Sequence, residues 1–255
     1  MGVLRLFALL LAVACLSIGK GAAASRTIVD SAGRQVAVPE AVAHGLPAGP
    51  PASVALFALA PDKMAGWIQP LSAAQLGFVP QRYASLPAVG RLTARDGDPA
   101  ELVRAAHPDL IVDIGDVDRR YANLADKVQQ ETGVPYLLFS GSLLDIGATL
   151  RKLGPILGNN AEGERLANYV AAAMSEARKA AQRQAHPKVY FARGADGLQT
   201  PMGTTGPMEF LRLLGARTLD AKPACSGRAA ANPYASLSAV FSAGAPNKIR
   251  YVCGS

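Results

Sequence analysis

The chain has 255 residues, half of them hydrophobic and 18% charged, enough for one large domain or two small ones with a sizeable core. Its formal net charge is +7, but the lysines and arginines are scattered along helix faces and lack the interleaved aromatics of a nucleic-acid interface. Most therefore read as solvated surface, and nucleic acid is not an expected partner.

The N-terminus carries a targeting pattern. Arg5 supplies a positive start, and Leu6 to Ile18 is an apolar stretch too short for an ordinary membrane span. Ala22-Ala23-Ala24 fits a cleavage signal, so residues 1–24 are expected to be a signal peptide and Ser25 the first mature residue. Cys15, after Leu11-Ala12-Val13-Ala14, offers a second reading as a lipoprotein site inside the apolar stretch. Cys225 and Cys253 could pair in an oxidising compartment.

Thr27–Val29 and Gln35–Val38 flank Asp30-Ser31-Ala32-Gly33-Arg34, which predicts a hairpin closed by Pro39. Val42–Leu46 reads as a first strand. Gly49-Pro50-Pro51 then opens a helix through Leu59, with proline where no N–H is needed. Met64–Ile68 is a predicted strand, and Pro70–Leu86 is irregular or weakly helical. Glu101–Ala106 has a helical pattern broken by His107-Pro108-Asp109. Leu110–Asp113 is a short apolar strand, Tyr121–Glu131 a helix ended by Gly133, and Val134–Leu138 a buried strand. This is a βαβ unit, which implies a parallel sheet with ligands beyond the carboxyl ends of its strands.

Ser142–Leu157 reads as a helix with Leu143, Ile146, Leu150 and Leu153 on one stripe. Asn159-Asn160 is a plausible cap for a long helix running to about Ala185, ended by His186-Pro187. Lys188–Phe191 reads as a strand and Pro207–Leu214 as a helix closed by Gly215. Beyond it the pattern fades. Residues 187–255 fall short of the roughly 100 residues of a complete domain, so truncation or a frameshift near Ala221–Gly227 is one reading of the tail.

No enzyme signature is present: no phosphate-binding loop, dinucleotide fingerprint, nucleophile elbow or metalloprotease helix. His44, His107 and His186 are far apart, which argues against a zinc or manganese site. No cofactor is expected. The loops after the predicted strands remain as a binding cleft. They nominate Pro50, Trp67, Arg91, Asp116, Arg119 and Tyr121 on the first lobe, with Arg193 and Met202 on the second. Trp67 either stacks on a planar ligand or packs under the Pro70 loop. Arg91, Arg119 and Arg193 either bond an anionic ligand or are solvated.

TIVDSAGRQVAVP, AGPPASVALFALAPDKMAGW, VGRLT, AELVRAAHPDLIVD and YANLADKVQQETGVPYLL, taken in order, resemble the extracytoplasmic substrate-binding proteins of iron–siderophore, haem and cobalamin ABC transporters. The resemblance spans about residues 26 to 215. It implies an α/β fold of two Rossmann-like lobes joined by one long, rigid helix, here with an incomplete second lobe. The expected boundaries are 25–158 for the N-terminal lobe, 159–186 for the linker helix and 187–255 for a partial C-terminal lobe. It also implies a periplasmic monomer that captures a metal chelate, most naturally a ferric siderophore, for an inner-membrane permease. Cobalamin, haem or an oxyanion are the alternative ligands, and an exported α/β enzyme or a non-functional remnant the more distant readings. Glu101 matches the family's permease-docking glutamate of the first lobe; the matching second-lobe position is Ser238. Without the resemblance, Glu101 is a first-turn glutamate favoured by the helix dipole.

Overall fold

The computed structural model describes residues 24–94, 97–183, 185–192, 199–201, 206–218 and 234–236. The signal-peptide reading, Cys15, Cys225, Cys253, Ser238, Arg193 and Met202 lie outside them.

Strands β1 (Ser25–Val29) and β2 (Gln35–Pro39) pair antiparallel as the predicted hairpin. Gly33, at φ 78°, takes the left-handed turn position. Three parallel strands follow in spatial order: β3 (Gly45–Pro47), β4 (Leu110–Gly115) and β5 (Tyr136–Ser140). Val42–Leu46 is thus mostly not strand; the pairing starts at Gly45. Met64–Ile68 forms no strand either. It makes two single bridges, Gly45 with Met64 and Trp67 with Ala88, and of these the first reaches the sheet.

Helices cover both faces of this sheet, the arrangement that a parallel sheet requires. On one face α1 (Pro50–Leu59) sits with the later helices: Leu56 and Leu59 pack with Val112, Ile114, Leu137, Phe139 and Leu153. On the other, Val103 of α4 (Pro99–Ala106) and Ala125 and Val128 of α5 (Arg119–Thr132) pack on Ile111 and Tyr136. Asp98 and Asp118 cap these two helices, accepting from the N–H groups of Ala100, and of Arg120 and Tyr121. Between α1 and α4 the Pro70–Leu86 stretch holds two single-turn helices, α2 (Ala73–Leu76) and α3 (Gln81–Ala84), the first fixed by a Ser72–Gln75 capping box.

The hairpin is tied to β5 by a buried carboxylate. Asp30 accepts from the N–H groups of Ala32 and Arg34 through Oδ1, both at 3.0 Å, and from Leu138 N–H at 3.2 Å through Oδ2. The Arg34 guanidinium pairs with Asp30 Oδ2 at 3.0 Å and reaches Asp126 of α5 and the Tyr136 carbonyl.

Helix α6 (Ile146–Ile156) starts one turn later than predicted, and α7 (Asn160–Ala181) ends four residues earlier. Asn159 stands at the cap position without capping by its side chain; its Nδ2 donates to the Leu59 carbonyl at 2.7 Å, pinning the linker to α1. The two helices meet glycine to glycine. A side chain at Gly163 would stand 2.8 Å from the Leu150 carbonyl and 2.9 Å from Gly154 Cα.

Beyond α7 a second, smaller lobe begins. Strand β6 (Lys188–Val189) and β8 (Arg217–Thr218) pair in parallel across α8 (Gly206–Leu213), another βαβ crossover. Gly215, at φ 81°, closes α8 as predicted. Strand β7 (Gln199–Pro201) pairs antiparallel with β9 (Tyr234–Ser236). Ala235 and Ser236 thus lie in a strand paired with Thr200 and Gln199. The molecule is α/β, two Rossmann-like lobes joined by one long helix, and the described residues cover less of the second lobe than of the first.

Candidate functional site

The carboxyl ends of β3, β4 and β5 open into a cavity of about 390 Å³. The loop after β3 contributes Gly49, Pro50 and Pro51; the loop after β4 contributes Gly115, Asp116 and Val117, followed by Tyr121 on α5. Gly141 and Ser142 follow β5, and Arg91 and Thr93 close one side. The second lobe supplies Gly206 and Glu209 from the first turn of α8. The cleft thus lies at the crevice expected of an open α/β sheet, and both lobes form it.

Four nominated residues come together here: Pro50, Arg91, Asp116 and Tyr121. Arg120 stacks on the Tyr121 ring with its guanidinium 5.6 Å from the centroid. Arg119 opens α5 at the surface and is not among the lining residues.

Trp67 is also placed elsewhere. It is 8% exposed within the apolar core, its ring 5.3 Å from Phe57, and its Nε1 donates to the Tyr83 carbonyl at 2.8 Å. The indole is held under the loop that follows it and does not face the cleft. Its fluorescence is accordingly expected to have the short-wavelength emission of a buried indole, poorly quenched by iodide, and to move to the red only on unfolding. Strong iodide quenching of the folded chain would contradict this placement.

Sequence reasoning missed two cleft carboxylates. Asp113 sits in the apolar run of β4 and is only 4% exposed. Tyr136 on β5 donates its hydroxyl to Asp113 Oδ2 at 2.9 Å. The signal was available: a charged residue inside an otherwise buried strand. Gly49 stands beside this carboxylate in the cavity lining: a Cβ there would make ordinary contact with Thr93 Oγ1 at 3.6 Å and Asp113 Oδ1 at 4.0 Å. Glu209 had no local signal. It accepts from Ser142 Oγ at 3.0 Å and from Leu143 N–H at 2.8 Å, fastening α8 to the loop after β5.

Burial raises the Asp113 carboxyl above its ordinary range, with Tyr136 and the Ile114 N–H opposing and the Asp116 charge adding. The folded chain then holds this proton more tightly than the unfolded chain does. Stability from this group is present at low pH and declines as pH rises from the unfolded carboxylate's value through the raised one. Asp113→Asn is therefore expected to melt higher than the unaltered chain at pH 7, with the difference shrinking as pH falls toward 4. Equal melting temperatures at both pH values would refute this.

Residues 79–238 match the family model described as periplasmic binding protein. The chain belongs to that family. Among solved structures of the same fold is the ABC transporter solute binding protein from Sulfurospirillum deleyianum, 21% identical with a TM-score of 0.65 over 77% of this chain and 63% of that one. The molybdate-binding protein MolA of Haemophilus influenzae is 14% identical with a TM-score of 0.59, over 77% of this chain and 66% of its own. The vitamin B12 binding protein BtuF of Vibrio cholerae is 15% identical with a TM-score of 0.56, over 77% and 71%. No curated protein matches the chain. This periplasmic binding protein spans 63% of the length of the first of these structures. The family groups transport binding proteins, not enzymes.

Proposed function

We propose that this chain is exported by its first 24 residues, captures a ferric siderophore in the interlobe cleft and delivers it to an ABC permease. The observation that carries this reading is the cleft itself, walled by loops of the first lobe and by Gly206 and Glu209 of the second. Its lining, part polar and part apolar, and its open end suit a compact metal chelate. The division into 25–158, 159–186 and 187–255 follows from the same reading, with the monomer as the working unit. Glu101, exposed in the first turn of α4, is the proposed permease contact. Arg193 and Met202 are proposed to reach the ligand from the second lobe.

The test is equilibrium dialysis of the chain from Ser25 onward against a ferric hydroxamate, a ferric catecholate, haemin and cobalamin, read by the absorbance of each. One ferric chelate is expected to bind saturably, one per chain, and Tyr121→Ala to weaken it on the order of tenfold. Binding of haemin or cobalamin alone would replace the siderophore reading. Binding of none of the four would overturn it.

A further inference from the structure

Of the charged side chains that line the cleft among the described residues, three are acidic, Asp113, Asp116 and Glu209, and one is basic, Arg91. They are not equivalent. Arg91 and Asp116 are exposed at the rim. Glu209 is already engaged by Ser142 and Leu143. Asp113 is the buried one, fixed from below by the Tyr136 hydroxyl on Oδ2. No side chain among the described residues donates to Oδ1, which lies toward Gly49 in the cavity lining.

A buried carboxylate facing a ligand cavity discriminates by charge. An anion brought against it is repelled where little solvent screens the pair, whereas a cationic donor satisfies it. We propose that Asp113 is the specificity residue of the cleft and receives a protonated amine of the ligand. This rests on the siderophore reading above and narrows it. A ferric trihydroxamate is uncharged at its metal centre, so a pendant primary amine makes the whole chelate a cation. A ferric tricatecholate is a multiply charged anion and is the class this cleft rejects. Of the two readings of the arginines, the solvated one is the one this proposal takes for the part of the cleft that Asp113 occupies. Tyr136 acts as a positioning residue, since its hydroxyl aims the carboxylate and does not line the cavity.

The experiment uses the chain from Ser25 onward and a linear ferric trihydroxamate ending in a primary amine, beside the same chelate with that amine acetylated. The free amine is expected to bind about 10- to 100-fold tighter, the range of a charge-assisted hydrogen bond. Asp113→Asn, which keeps the shape and still accepts from Tyr136, is expected to erase the preference for the free amine over the acetylated chelate. Tyr136→Phe should reduce the preference without abolishing it. Equal affinity for the two chelates in the unaltered chain would overturn the proposal. So would binding of a ferric tricatecholate in place of both, although the siderophore reading would survive that result. Binding of no ferric chelate would overturn both.

Discussion

Asp30→Ala is expected to destabilise the chain by about 3–5 kcal/mol, the usual cost of removing one partner of a buried ion pair. The Asp30 side chain is fully buried and Arg34 is 12% exposed. Its loss leaves the N–H groups of Ala32, Arg34 and Leu138 without their acceptor. It also strips the guanidinium of its buried counter-charge, with only Asp126 at the surface remaining. The melting temperature should fall on the order of 10 °C, and denaturant unfolding should show the same loss. Val36 and Val38 of the hairpin belong to the main core, so the whole first lobe should be weakened as one unit. A loss below about 1 kcal/mol would mean that the hairpin unfolds separately from the sheet.

Gly163→Val strikes the other structural hinge of the molecule. The linker helix lies against α6 at a distance that only glycine permits. The nearest atoms to an added side chain, the Leu150 carbonyl and Gly154 Cα, are backbone and cannot rotate away. The expected cost is about 3 kcal/mol, toward the upper end for overpacking. Ala172→Val, on an exposed stretch of the same helix, controls for helix propensity and should cost roughly 0.5 kcal/mol. Amide exchange across Leu150–Leu157 should accelerate in the first variant only. Indistinguishable stability of the two would show that α7 can shift away freely, and the rigid-linker picture would fail with it.

The first lobe was legible because its punctuation is chemical. Asp30 and Gly33 announce the hairpin turn, Pro50-Pro51 a helix start, His107-Pro108-Asp109 and Gly133 two helix ends. Where the reading slipped, a distant group had won. Ser142 and Leu143 do not join α6 because their hydroxyl and N–H bind Glu209, 67 and 66 residues away. Asn159 does not cap α7 because Leu59 takes its amide. Strand β5 is displaced two residues from the predicted Val134–Leu138, since its register is set by pairing with β4: Ile111 stands opposite Tyr136.

Part of the cavity lining was legible too. Pro50, Arg91, Asp116 and Tyr121 line it because each follows a parallel strand or the loop beside one, and the crevice forms there. Trp67 follows a segment that makes only single bridges, so the chain turns back over it and buries the ring. Asp113 was read as the end of an apolar strand; its carboxylate matters because Tyr136, 23 residues later, lies on the adjacent strand and holds it.

The bond between Asp30 and Leu138 also bears on how the chain is made. A polypeptide grows from its N-terminus, so the hairpin's carboxylate exists long before the amide it must hold, 108 residues downstream. Until that strand has been synthesised, the Asp30–Arg34 pair has no interior to sit in and the sheet lacks an edge strand. Closing a loop of that length is entropically uphill and slow compared with forming the helices between. The nascent lobe should therefore pass through a prolonged helical but unsealed stage, in which apolar strand edges are open to chaperones. On this account the lobe seals when the hairpin's carboxylate, made early, meets the β5 amide, made late.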